Sequence, residues 1–278
     1  MVKHCKSFQG SWSPVQRSLS FFASNSLLLT ISAGSFLGFT LAFLASTGSP
    51  LHSLAFGLRS FLSVFLAGIL GREVDPNHHL TSVLASVGQV IIVSVLWTPH
   101  LLLTLWAVLL FRVMNRASVY TLGLVDTVFV TALTIWLGHR LSWVIASAGG
   151  IVFFGGVILG RPQVWGLFAG SLSAIWAVYL LVSDGIPWPG FINYPVKLGL
   201  ISIISATYLW EIYHEKDLGP GEDRQVSPSE GRVRLVQLVA LGVGILYPLW
   251  TGSHGFHQIA TFWSVIASAS LANALSFL

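Results

Sequence analysis

The chain has 278 residues, of which 54% are apolar and only 9% charged, with a mean hydropathy of +0.77. A soluble domain carries about 25% charged residues because its surface must hold water, so 24 charged side chains (14 basic, 10 acidic) exclude a water-soluble globule and point to lipid as the solvent. The net charge of +4 comes without a basic stripe interleaved with aromatics, which argues against a nucleic-acid partner, and a single Cys5 excludes a disulfide framework or a thiol pair.

The charges are unevenly placed. Ten of the 24 fall between Glu211 and Arg234, and most others sit in short clusters between long apolar runs. A charge at the bilayer centre costs at least ~2.5 kcal/mol, so this is the pattern of spans joined by loops. The runs are continuous rather than alternating, which selects helices over a barrel. The expected fold is therefore all-α: one integral membrane domain, a polytopic transmembrane helical bundle of about ten spans.

Residues 1–18 are polar, with Lys3, Lys6 and Arg17 and no acid. The apolar run that follows is too long for the core of a signal peptide and reads as an uncleaved first span at 20–45. A second span covers 51–71, with Arg59 inside it, and the polar stretch REVDPNHH (72–79) follows. Spans at 80–97 and 100–113 are separated by Trp97-Thr98-Pro99-His100; the alternative is one long helix kinked at Pro99. Further spans are expected at 118–138, 141–160 and 164–183, joined so tightly that neighbours must be antiparallel. GIPWPGFINYP (185–195) is a Pro- and aromatic-rich interfacial segment, and span eight covers 196–213. Residues 214–232, rich in Gly, Pro, Ser and mixed charge, read as a flexible cytoplasmic loop. Spans at 233–251 and 256–277 close the chain.

Orientation follows from the distribution of basic residues. With both termini cytoplasmic, the inner segments hold Lys3, Lys6, Arg17, Arg72, Arg112, Arg116, Arg161, Lys216, Arg224, Arg232 and Arg234, against Arg140 and Lys197 outside. Treating 80–113 as one kinked helix would reverse the parity and destroy that bias. Trp97, Trp143, Trp188, Trp210 and Trp250 fall near expected span ends, as an aromatic belt requires. Gly156 and Gly160, then Gly166, Gly170 and Ala174, then Ser264, Ala267, Ser268 and Ala272, repeat at the small-xxx-small spacing that lets helices approach. Gln89, Asn25, Gln237 and Asn273 are amides suited to tying helices together.

Three groups of residues could carry chemistry. Arg72, Glu73, Asp75, His78 and His79 form the densest polar group and could meet a phosphate headgroup or a metal; the plainer role is an Asp75-Pro76 cap opening the next helix. Arg59 needs a partner inside the membrane, and Asp126 is expected at a similar depth, as a register-setting ion pair or as the lining of a substrate or proton path with His100. His100, His254 and His257 share the outer side with His52 and His139, where a metal or pigment site competes with ordinary interfacial histidines.

The length and span number resemble those of intramembrane prenyltransferases, but the two aspartate-rich motifs of that family are missing: Asp126 and Asp184 are the membrane-associated aspartates here. No protease motif, P-loop or serial-arginine span is present. Three functional classes remain: a carrier of a small or amphipathic substrate through Arg59, Asp126 and His100; a lipid-modifying or lipid-binding enzyme with its headgroup site at Arg72–His79; and an accessory subunit of a membrane complex. The carrier is slightly preferred. Membrane lipids are the expected partners, with partner subunits or a second copy as further ones. The expected location is the plasma membrane of a prokaryote. No motif names a cofactor.

Overall fold

The computed structural model describes residues 26–76, 78–96, 100–116, 123–159, 164–183, 195–214 and 230–276. Expectations that rest on 1–25, 97–99, 117–122, 160–163 (Gly160 and Arg161 among them), 184–194 and 215–229 lie outside these residues. Among the described residues every regular element is helical. The helices are α1 (Ser26–Thr47), α2 (Pro50–Val74), α3 (His79–Leu96), α4 (Leu101–Arg116), α5 (Leu124–Arg140) and α6 (Trp143–Ile158). They continue with α7 (Val164–Ser183), α8 (Pro195–His214), α9 (Glu230–Thr251), the short α10 (Ser253–Gln258) and α11 (Ala260–Ser276).

Four of these, α1, α2, α7 and α9, are long and apolar enough to cross a membrane. The other long helices run 16 to 20 residues. At 1.5 Å per residue the shortest is about 24 Å, a few ångströms under a ~30 Å hydrocarbon core. The last expected span is broken: residues 256–277 divide at Ile259, whose N–H bonds the Gly255 carbonyl at 3.1 Å and closes α10 before α11 begins.

Contacts set the helix directions. Ser82 Oγ donates to the Gly68 carbonyl at 2.8 Å, and Gln89 Nε2 donates to Ser63 Oγ at 2.7 Å, so α3 runs back along α2. Asn115 Nδ2 donates to the Glu73 carbonyl at 2.7 Å, which brings the C-terminal ends of α4 and α2 together. Thus α3 and α4 are separate, oppositely directed helices and not one helix kinked at Pro99. Leu141 and Ser142 alone join α5 to α6, and Ser142 Oγ caps α6 by accepting from the Val144 N–H at 3.2 Å. The Trp143–Trp250 edge-to-face pair at one end and Leu159 against Gly231 at the other place α9 antiparallel to α6. The N-terminus of α3 and the C-termini of α2, α4 and α6 therefore share one end of the bundle with the N-terminus of α9.

The short α4 is the hub. Leu103, Trp106, Ala107, Leu110, Phe111 and Met114 are buried, and the helix packs on α2, α5, α6 and α9. Trp106 Nε1 donates to Thr134 Oγ1 of α5 at 2.8 Å, so this large buried side chain leaves no orphan donor. Helix α1 lies at the periphery against α2 and α3 and is mostly exposed. The tight turn from α1 to α2 uses Gly48 at φ +67°, followed by Pro50 in the first turn of α2.

Candidate functional site

The buried charges gather at the end where α2, α4 and α6 finish. Burying one costs several kcal/mol unless it is paired, so each needs a local account. Glu73 lies on the last turn of α2, mostly covered. Arg112 of α4 brings Nε to 3.7 Å from Glu73 Oε1, and Asn115 donates to Glu73 Oε2 at 3.2 Å as well as to its carbonyl. The negative ends of α2, α4 and α6 add a field that favours cations here.

Asp75 is the residue that closes α2, and it is 4% exposed. Its carboxylate accepts from Thr81 Oγ1 at 2.5 Å and faces His78 Nδ1 at 3.1 Å. Asp75 thus ties the end of α2 to the first turn of α3. A proton on His78 Nδ1 satisfies the carboxylate and leaves Nε2 as the basic nitrogen, the arrangement that suits an imidazole for proton transfer.

Arg232 completes this end. It was expected in a flexible loop, but α9 begins at Glu230 rather than at 233, and Arg232 is 1% exposed in its first turn. Leu235, one turn on, packs at Gly155 of α6, where the end of Met114 of α4 also arrives. Two of its guanidinium nitrogens, Nε and Nη1, are enclosed with no hydrogen-bond partner. The acid in the same turn is engaged elsewhere: Glu230 pairs with Arg234 at 2.5 Å.

Of the expected headgroup residues, Asp75 and His78 are brought together; Glu73, two residues before Asp75, is held by Arg112 and Asn115, Arg72 is half-buried on the same turn of α2, and His79 is exposed at the start of α3. Among the described residues no group of three or more His, Cys, Asp or Glu side chains converges as a metal site. Arg59 and Asp126 are not joined. Arg59 is exposed near the middle of α2, and Asp126 is partly covered in the first turn of α5, where the helix dipole favours a carboxylate. His100 lies at the opposite end. Its Nδ1 accepts from the Leu103 N–H at 3.3 Å, and its own N–H donates to the Gln258 carbonyl at 3.3 Å. His254 is exposed beside Gln258, whose amide also accepts from Tyr247.

Sequence reasoning missed Arg112, Asn115, Thr81 and Arg232 as members of one site. Arg112 was counted as an inner-surface anchor. A signal for Arg232 was present: Val236, Ala240 and Val243 continue a buried stripe at helical spacing, and extending it back one turn reaches Arg232. Compared with protein-family models, curated proteins and solved structures, the chain finds no match.

Proposed function

We propose that the chain is a multi-pass integral membrane protein of about ten spans whose α2–α4–α9 end faces the cytoplasm and binds the anionic head of an amphipathic molecule. The carrying observation is the concentration of buried ionic and hydrogen-bonded groups at that one end: Glu73 with Arg112 and Asn115, and Asp75 with His78 and Thr81. The basic-residue bias supports the orientation, because the inner segments carry eleven Lys and Arg against two outside. Four helices meet the length and apolarity needed to cross; the shorter ones would cross with local thinning of the bilayer around them.

On this reading Arg112 and the surrounding helix C-termini hold negative charge at the headgroup level, while Asp75 orients His78 toward a bound group. The protein is then a lipid-binding or lipid-modifying membrane protein, placed in a prokaryotic plasma membrane. A carrier path through Arg59, Asp126 and His100 has no comparable grouping, since those residues stand apart.

The test is native mass spectrometry of protein extracted gently from its own membrane. A stoichiometric anionic amphiphile is expected to accompany the wild type and Arg59→Ala, and to be lost from Arg112→Gln and His78→Ala. Release of nothing but exchangeable bulk phospholipid from the wild type would overturn the reading.

A further inference from the structure

Arg232 has no explanation in packing alone. A guanidinium stays protonated under all ordinary conditions, so this is a permanent charge on a side chain that is 1% exposed. It lies in the first turn of α9, the positive end of that helix, where a cation is disfavoured. The C-terminal end of α6 beside it offsets part of that field. No hydrogen bond reaches Nε or Nη1, and the neighbouring Glu230 is committed to Arg234. An enclosed donor without an acceptor costs free energy unless something supplies the acceptor. Among the described residues none supplies it.

We propose that Arg232 is the receptor for a phosphate group, carried either by a lipid headgroup or by a free phosphate compound. Its position argues for phosphate. The first turn of a long apolar helix lies at headgroup depth, where phosphate is the abundant anion, and a guanidinium matches phosphate oxygens in number and spacing. Glu230 and Gly231, immediately before it, are both exposed, so Arg232 lies one residue from the surface along the chain. The proposal deepens the headgroup reading by naming the ligand class, and rests on it only for the amphipathic source.

The experiment follows thermal unfolding of the purified, detergent-solubilised protein by tryptophan fluorescence. The probes are inorganic phosphate against chloride at matched ionic strength, and mixed micelles containing phosphatidic acid against phosphatidylcholine. Phosphate or phosphatidic acid is expected to raise the wild-type midpoint by roughly 5 °C near saturation. A rise with both assigns the site to phosphate as such, and a rise with phosphatidic acid alone assigns it to the headgroup. Arg232→Gln is expected to unfold at or above the wild-type midpoint without ligand, because it removes an uncompensated charge, and to show no rise with either probe. If the Gln variant does not fold, Arg232→Lys decides, with less than half the wild-type rise expected. An unchanged rise in the variant, an equal rise with chloride, or no rise in the wild type overturns the inference. Arg59→Ala, at an exposed position near the middle of α2, should keep the rise. Wild-type protein that carries no stoichiometric amphiphile yet responds to phosphate counts against the earlier reading alone, and wild-type protein that retains an amphiphile but ignores phosphate counts against this one.

Discussion

At the scale of single residues, the Glu73–Arg112–Asn115 group shows how a polar contact is held at one end of an apolar helical bundle. Each partner is more than four-fifths covered on its ionic side chain, so removing one leaves the other desolvated. Arg112→Gln is expected to destabilise the protein by about 2–3 kcal/mol, at the low end for a buried pair because the 3.7 Å separation is long. Glu73→Gln should cost about 1–2 kcal/mol, since an amide oxygen still accepts from Asn115. Unfolding midpoints of the two variants in one detergent check the ranking, and a milder Arg112→Gln would contradict it. Gly57 is a different case. A Cβ there would overlap the Thr40 hydroxyl and come within 2.9 Å of the Phe36 carbonyl oxygen on α1. Backbone cannot yield as a side chain can, so Gly57→Ala is expected to cost about 1–3 kcal/mol by prying α1 from α2.

At the scale of elements, helix ends matter as much as helix faces. The two-residue joint between α5 and α6 works because Ser142 satisfies the Val144 N–H and Gly138 admits Ala146 at 3.0 Å from where a Cβ would stand. Ser142→Ala should therefore cost about 1 kcal/mol, seen as a lower unfolding midpoint, whereas Ser142→Asp should keep most of the stability because its carboxylate can also cap. The small residues on α7 act as packing surface: Gly166 receives Val157 and Gly170 receives the Phe154 ring, both from α6. Serines tie α3 to its neighbours on both sides, through Ser82 to α2 and through the Ser264 hydroxyl of α11, which donates to the Ala85 carbonyl at 3.0 Å. In lipid such bonds and close backbone contacts replace the hydrophobic drive that water would provide.

At the scale of the whole molecule, the helix directions put His79 and His254 at opposite ends of the bundle, and both are exposed. In a Cys5→Ser background, His79→Cys and His254→Cys are expected to react with a membrane-impermeant maleimide from opposite sides of sealed vesicles. Labelling of both from one side would refute the proposed orientation. The separation also divides the histidines chemically, with His78 beside Asp75 at the charged end and His100 beside Gln258 at the other.

The helical architecture, the separate identity of α3 and α4, and the packing role of the Gly166–Gly170 spacing were all legible in the residues, because hydropathy, charge parity and small-residue periodicity are local or one-dimensional signals. The placement of Glu73, Asp75 and His78 at one helix end was legible for the same reason, as neighbours in sequence. What only the tertiary structure decided was which distant charges join them. Arg112 reaches Glu73 because α4 turns back at the centre of the bundle, a fact of packing that no spacing encodes. Arg59 and Asp126 were matched by depth, but depth carries no information about which helices touch, and these two residues do not meet. Arg232 was assigned to a loop because polar composition dominates the residues before it. Packing of Leu235 against Gly155 places α9 so that its first turn is covered, and an arginine that reads as solvated becomes an enclosed charge.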